Sequence, residues 1–502
     1  MRKKKSNTPS ADVLQPGKDM PWHYSPKLHF RRTRIVATIG PASSSPEMLQ
    51  AMIEAGVDIA RINFSHGNPA DHVKLMQRIH SSARKYNRTV SILGDLCGPK
   101  IRVGDFHDGS AVLKDGSKVI ITSKAILGSP LLIPSQYERI VEDTRIGERI
   151  LLDDGNLELR ITRKIRNSLE ALVIHGGLLK NRKGMNLPDS KLKIQALTAK
   201  DRKDAAYCIR GNADFIALSF VRSAKDITDL KKHLKRMNSQ IPVIAKIEKP
   251  EALDNIDEIL DACDGIMIAR GDLGVELPAE KVPIIQSSLI EKANRAYKPV
   301  IVATQMLESM IEHPRPTRAE VTDVSMACFA DADAVMLSAE SASGKFPILA
   351  VKTMDSILRE TEAHQFFSSA GLFMNRTGFR RDDLLNALGS STAQISRDLK
   401  VRCIAVLTRS GRTAKIVSAD RPAAPVFAMT ESEQVARRLN ILWGVYPKII
   451  PGKLSFRKFV NYSERTIKDL HLAKKGDCII LLSGLSGQGN ISTNSITIHR
   501  LS

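Results

Sequence analysis

The 502 residues correspond to about three domains at roughly 150 residues each, enough chain to bury a large core. Hydrophobic residues at 42% and charged residues at 26% exclude a disordered polymer, and no run nears the roughly 18 apolar residues of a membrane span, so no membrane partner is expected. The net charge of +21 raises a polyanion partner, but residues 1–34 hold nine bases and two acids, and the remaining excess is spread thinly with no aromatic-interleaved basic tract, so nucleic acid is not expected.

Residues 1–30 begin Met1-Arg2-Lys3-Lys4-Lys5 and show little periodicity, so they read as a basic N-terminal arm. No apolar h-region follows these charges, and a cytoplasmic location is expected. The cysteines Cys97, Cys208, Cys263, Cys328, Cys403 and Cys478 form no C-x-x-C pair and lie mostly in apolar stretches. Reduced core thiols are the expectation.

From Arg34 onward, short Val/Ile/Ala-rich runs recur, each followed by a longer amphipathic stretch. They are Arg34–Ile39, Asp58–Phe64, Ser91–Asp95, Phe215–Phe220, Val243–Glu248, Gly265–Arg270, Pro299–Thr304 and Ala334–Ser338. Parallel strands joined by crossover helices have this pattern, and eight units predict an α/β fold, a (β/α)8 TIM barrel over 31–102 and 189–355. The roughly 115 residues between the third and fourth runs exceed a single crossover. Within them, 103–188 are rich in Gly, Asp and β-branched residues, with hairpin turn signals at Gly104–Gly109, Leu113–Ser117 and Leu152–Asn156. An inserted all-β cap, of β-barrel type, is therefore expected. The alternation restarts at Cys403–Leu407, Val426–Met429 and Cys478–Leu482, predicting a C-terminal α/β domain over 356–502.

The reactive groups of a (β/α)8 enzyme come from the C-terminal ends of its strands. Here those ends carry Arg61 to His66, Asp95, Ser219 and Arg222, Lys246 and Glu248, Arg270 to Asp272, Thr304 and Gln305, and Ser338 and Glu340. Strand ends meet water, so some polarity there is ordinary. The residue types are more telling. Lys246 and Glu248 stand two apart and point to the same face, the barrel interior. Glu248 and Asp272, from adjacent strands, make a hard oxygen pair suited to Mg2+. Lys246 and Arg61 beside that pair suit a phosphorylated acid. In Ala269–Glu276 the glycines let backbone amides approach an anion. Gly-Asp-Leu-Gly alone is a weak signal and gains force only beside Lys-x-Glu.

From about residue 32 to 502 the chain resembles the pyruvate kinase family. The resemblance is carried by Thr33–Ser43, Ala60–Gly67, Gly98–Gly104, Ala245–Glu248, Ala269–Glu276, Ala303–Met310, and Pro316–Val321 followed by Met336–Glu340. It implies Mg2+-dependent phosphoryl transfer from phosphoenolpyruvate to ADP, giving pyruvate and ATP in glycolysis, with Mn2+ as an alternative ion. It also implies barrel, cap and regulatory domains and usually a homotetramer. By the same resemblance Lys246, Arg61 and Thr304 are catalytic: Lys246 stabilises the phosphoryl group in flight, Arg61 and the Gly271 amide grip substrate, and Thr304 belongs to the proton path. Asp272 and Ser338 complete the implied substrate pocket, and Glu248 and Asp272 are the implied Mg2+ ligands. Asn63, Phe64, Ser65, His66, Arg102 and Lys183 are the implied nucleotide contacts, Lys183 from the returning stem of the cap.

One departure matters. Family members that need K+ carry Asp-Thr-Lys-Gly-Pro-Glu where this chain has Asp95-Leu96-Cys97-Gly98-Pro99-Lys100. The implied monovalent-cation pocket is Asn63, Ser65, Asp95 and Leu96. Lys100 stands in place of the glutamate, so its ammonium is expected to substitute for the ion and K+ to be unnecessary. The other account is a surface lysine beside an occupied K+ site.

In the C-terminal domain, Thr408, Ser410, Gly411, Arg412 and Thr413 follow a strand and could hold a phosphate. The resemblance implies a sugar-phosphate effector there, AMP being another candidate, with a second loop at Gly484–Gly489. An ordinary αβ loop with an N-cap is the plainer alternative. Two other functions compete. A catalytically silent polyanion-binding scaffold is disfavoured because each required motif position holds a competent residue. Another phosphoenolpyruvate-using barrel enzyme would lack the inserted cap with Arg102 and Lys183.

Overall fold

The computed structural model describes residues 30–190, 192–367, 384–484 and 493–502. The basic arm, except Phe30, and residues 485–489 of the second phosphate loop lie outside the described residues. Eight parallel strands close into a barrel: Arg34–Thr38, Ile59–Asn63, Ser91–Asp95, Phe215–Leu218, Val243–Ile247, Gly265–Ala269, Val300–Ala303 and Ala334–Leu337. Neighbours in the chain are neighbours in the barrel, and the last strand pairs with the first. The expected runs agree to within about two residues at each end.

These strands are apolar on both faces because both faces are covered. Ile35, Ala60, Ile92, Ile216 and Ile266 belong to a core shared with helix residues such as Leu49, Met52, Ile79 and Leu230. Their neighbours Val36, Ile59, Leu93, Ala217, Ile244, Met267, Ile301 and Met336 pack with one another inside the barrel. The period of two then carries Thr38, Arg61, Asp95, Ser219, Lys246 and Ser338 onto the interior side at the upper rim. The helices start where the sequence supplies caps. Thr198 and Thr317 form capping boxes with Asp201 and Glu320, and Ser45 caps a helix that opens with Pro46.

Between the third and fourth strands lies the strand-rich insert. Its strands divide between a six-stranded sheet and a two-stranded one of Ser110–Leu113 with Gly177–Lys180. The expected β-barrel cap is thus two sheets over a common core that includes Val119, Ile121, Ile150, Leu159 and Leu179, rather than one hydrogen-bonded ring. Of the three expected hairpins, only the turn after Leu152 makes one, joining antiparallel Arg149–Leu152 and Leu157–Ile165. Strands Ser110–Leu113 and Lys118–Thr122 flank the Lys114–Ser117 turn but pair in different sheets, and Gly104–Gly109 leads into a strand without folding it back on a partner. Turn chemistry reverses the chain; packing chooses what the reversed chain pairs with.

The C-terminal sheet has the order Val445–Ile449, Val426–Thr430, Ile404–Leu407, Cys478–Ser483, Ser495–Arg500. The two strands that the sequence reading did not name are its edges, one containing Pro447, which cannot donate to a ladder. This domain closes the lower end of the barrel. At that floor, Asp58, Asp214, Asp264 and Asp333 precede strands and accept amides near the starts of neighbouring strands, from Ile35, Ile92, Val243 and Val300 at 2.8–3.0 Å. Arginines bind three of these acids from below: Arg31 and Arg34 at Asp58, Arg437 at Asp214 (2.8 Å), and Arg421 at Asp333 (3.1 Å).

Candidate active site

Six interior residues of the upper rim form one connected cluster. The Lys246 ammonium donates to Glu248 Oε1 at 2.8 Å and Ser219 Oγ at 2.8 Å, and lies 3.5 Å from Asp95 Oδ1. Arg61 donates through Nε to Asp95 Oδ2 at 2.7 Å and through Nη1 to Thr38 Oγ1 at 3.0 Å. Asp95 and Glu248 are each 1% exposed, and Lys246 and Arg61 side chains 12%. Burial by itself would favour the neutral amine of Lys246; Asp95 and Glu248 outweigh it, and its pKa rises above the ordinary lysine value. The same two cations hold Asp95 below the usual carboxylate range despite burial. Glu248 moves the other way, pushed up by burial, with Asp272 adding to the effect and Lys246 opposing it. Asp95 Oδ1 is buried without a hydrogen-bond partner.

The next two strand ends supply the other half of the mouth. Thr304 and Gln305 sit at φ 69° and 54°, a left-handed conformation that is strained for a β-branched residue. Arg270 braces this turn, donating to Thr304 O at 2.7 Å while paired with Asp323 at 2.6 Å. The result presents Thr304 Oγ1 to the Gly271 amide at 2.7 Å. Phe220, after strand four, is also left-handed at φ 56°, which aims its amide at Glu248 Oε2, 2.8 Å away. A cleft opens beside these groups, lined by Asp272, Phe220, Arg222, Lys249 and Glu276 from the barrel and by Lys100, Asn186 and Leu187 from the stems of the cap.

The other candidates divide. Asn63 Oδ1 accepts the Ser65 amide at 3.1 Å. His66 is held below the ordinary imidazole range by burial first and then by the charges of Arg102, Lys100 and Arg61, so all three cations act on the Asn63–His66 turn. Arg102 donates to Arg182 O at 3.0 Å, and Lys183 pairs with Asp153 at 2.7 Å; both belong to the cap stems. The Phe64 ring is 2% exposed within the barrel core, edge-on to His72 at a centroid distance of 4.9 Å, so only its backbone is available to a nucleotide. Leu96 is equally buried, its carbonyl accepting Ser219 Oγ at 2.7 Å, so backbone oxygen is all it can present. Lys100 makes no ion pair among the described residues; those of Asp95 go to Arg61 and Lys246. Ser338 precedes the short helix Ala339–Ala342, its amide donating to the buried Glu340 at 2.6 Å.

The phosphate-loop candidates lie apart, on the C-terminal domain. Ahead of helix Arg412–Ala419, Thr408 Oγ1 accepts the Gly411 amide at 3.0 Å and Gly411 adopts φ 86°; within its first turn Thr413 meets Thr493 at 2.6 Å. Ser219, Phe220, Arg270, Lys249 and Glu276 are site residues that motif reasoning did not assign. Polarity at strand ends flagged Ser219 and Arg270, whereas nothing in the type of Phe220 announces a left-handed amide donor.

The closed barrel, its inserted cap and a rim of two cations among buried carboxylates define a (β/α)8 enzyme built to handle an anionic, phosphorylated substrate. Family models agree: the pyruvate kinase barrel domain matches residues 30–351 and the pyruvate kinase alpha/beta domain residues 386–499. The chain is 43% identical over 475 residues to the pyruvate kinase of Geobacillus stearothermophilus, covering 94% of this chain and 81% of that one. It is 42% identical over 472 residues to pyruvate kinase of Staphylococcus epidermidis, covering 94% and 80%. A crystal structure of a pyruvate kinase from Cryptosporidium parvum superposes with a TM-score of 0.88 at 34% identity, covering 94% and 96%. The chain belongs to the pyruvate kinase family. Its reaction is the glycolytic transfer of a phosphoryl group from phosphoenolpyruvate to ADP, giving pyruvate and ATP.

Proposed function

We propose that Lys246, Arg61 and Thr304 are the catalytic residues of this phosphoryl transfer. The observation that carries the assignment is a buried ammonium kept charged by Asp95 and Glu248 at the barrel mouth. In the reaction the bond from phosphorus to the enol oxygen breaks, a terminal oxygen of ADP takes the phosphoryl group, and the enolate gains a proton at its methylene carbon. A loose transition state spreads charge over the equatorial oxygens, so positioned cations do more than covalent chemistry could. Lys246 and Arg61 supply that charge, the Gly271 amide, Asp272 and Ser338 orient the substrate, and Thr304 Oγ1 lies on the proton path. Asn63, Ser65, His66, Arg102 and Lys183 face the nucleotide phosphates.

The family generally uses Mg2+, and Glu248 with Asp272 fits it: both are hard oxygen donors, and Mg2+ commonly takes one or two carboxylates with water and substrate oxygens completing its shell. Bound there, Mg2+ or Mn2+ would neutralise phosphoryl oxygens. We further propose that K+ is dispensable. The Lys100 ammonium lines the cleft and its charge reaches His66, which follows Asn63 and Ser65 of the Asn63, Ser65, Asp95 and Leu96 pocket. Asp95 Oδ1, which accepts no hydrogen bond and has the Lys246 ammonium 3.5 Å away, favours the opposite reading, a seat for a monovalent ion. Thr408 to Thr413 are proposed to hold a phosphorylated effector, a sugar phosphate or AMP, in a cytoplasmic homotetramer. The test is a coupled assay with phosphoenolpyruvate, ADP and Mg2+ at constant ionic strength. Full turnover without KCl is expected; steep activation by KCl would remove Lys100 from its role, and no pyruvate formation would remove the catalytic assignment. Unchanged rates with fructose bisphosphate, sugar monophosphates and AMP would dispose of the effector loop.

A further inference from the structure

Glu276 closes the short helix Arg270–Glu276 that carries Gly271 and Asp272. Its carboxylate is 1% exposed, and one oxygen, Oε1, accepts both Lys249 Nζ at 2.5 Å and Asn186 Nδ2 at 2.8 Å. Asn186 lies on the returning cap strand Met185–Asn186, so the carboxylate is fixed from two sides. Lys249 directly follows Glu248, is 13% exposed, and lies 5.9 Å over the ring of Phe220, whose amide holds Glu248 Oε2. Lys249, Glu276, Phe220 and Asp272 all line the same cleft. A second ammonium thus sits one residue from Glu248, where its charge would oppose a divalent cation unless an acid cancels it. Lys246 does not need this acid, because it has Asp95 and Glu248 of its own.

Resting on the proposed Glu248–Asp272 metal pair, we propose that Glu276 is a positioning residue that neutralises Lys249 and thereby sets the affinity of the site for divalent cations.

The full 502-residue chain is titrated with Mn2+ in the absence of substrates, and free Mn2+ is read by electron paramagnetic resonance, so no turnover enters the measurement. Glu276→Gln keeps the shape and the Asn186 bond but leaves Lys249 uncompensated; Mn2+ binding should weaken about tenfold or more. Lys249→Met leaves the Glu276 charge in the cleft, so binding should be unchanged or tighter. The double variant should return to within about threefold of the parent. A merely structural role would weaken all three variants alike, and that pattern, or parental binding by Glu276→Gln, overturns the proposal. Asp272→Asn distinguishes the premise: it should lose Mn2+, and if it binds as the parent does, the metal pair itself falls. Loss in Asp272→Asn alongside parental Glu276→Gln rejects only the role of Glu276. Circular-dichroism melts of each variant accompany the titrations, and a Glu276→Gln protein that melts like the parent yet binds Mn2+ weakly supports charge neutralisation.

Discussion

Lys246 and Thr304 show how one side chain can be held in a state its surroundings would otherwise oppose. Lys246 is buried yet charged because Glu248 accepts its ammonium at 2.8 Å and the Asp95 carboxylate lies 3.5 Å away. Lys246→Ala removes the positive charge where it develops its value, in the transition state. Turnover should fall by several powers of ten with little change in substrate affinity, as steady-state kinetics would report; an active Lys246→Ala enzyme would refute the role. Thr304 persists at φ 69° because Arg270 ties its carbonyl and Gly271 takes its hydroxyl. Thr304→Ser keeps that hydroxyl and should retain most turnover. Thr304→Ala should slow protonation of the enolate, read as slower exchange of the methyl protons of pyruvate with solvent; equal exchange in both variants would place the proton path elsewhere.

Among the elements, the helix Pro69–Lys85 meets the helix Glu433–Leu439 of the C-terminal domain around a histidine. His80 Nε2 contacts Asn212 O at 3.1 Å. Burial first, and then the nearby Arg437 guanidinium, push its pKa down to about 4. A histidine depressed in the folded state stays neutral there while the unfolded chain takes up a proton below its ordinary pKa of about 6.5. Its contribution to stability is therefore present above about pH 6.5 and is lost as pH falls from there toward 4. His80→Gln should reduce the drop in melting temperature between about pH 7.5 and pH 5. An identical drop in parent and variant would show that other groups carry the acid sensitivity.

At the scale of the whole molecule, the barrel has its chemistry at one end and its anchorage at the other. Arg421 follows helix Arg412–Ala419 and reaches Asp333 at 3.1 Å, Asn294 Oδ1 at 2.9 Å and Asp331 O at 2.7 Å. Asp333 in turn caps Val300, the start of the strand that ends at Thr304. Both charged side chains are nearly inaccessible, at 3% and 4%. Removing one member of such a pair leaves the other charge buried, at a cost of about 3–5 kcal/mol. Arg421→Met should lower the melting temperature by several degrees in calorimetry, and an unchanged melt would mean that the floor is held by the other pairs and by the apolar contacts alone.

The barrel strands, the inserted position of the cap and the strand-end positions of Arg61, Lys246, Glu248, Asp272 and Thr304 were legible along the chain, because strand period and side-chain chemistry are local properties. Lys246 and Glu248 could be placed on one face simply by standing two apart. What tertiary structure alone decided was of another kind. The pairing of Ser110–Leu113 with Gly177–Lys180, the edge strands Val445–Ile449 and Ser495–Arg500, and the burial of the Phe64 ring depend on partners distant in the chain. The left-handed backbone of Phe220 and Thr304 and the bond from Lys249 to Glu276 exist because surrounding packing over-determines them. Local residue types set what each segment can do, and long-range contacts choose which conformation and which partner it takes, since those choices are made by burial and charge compensation that no short stretch contains.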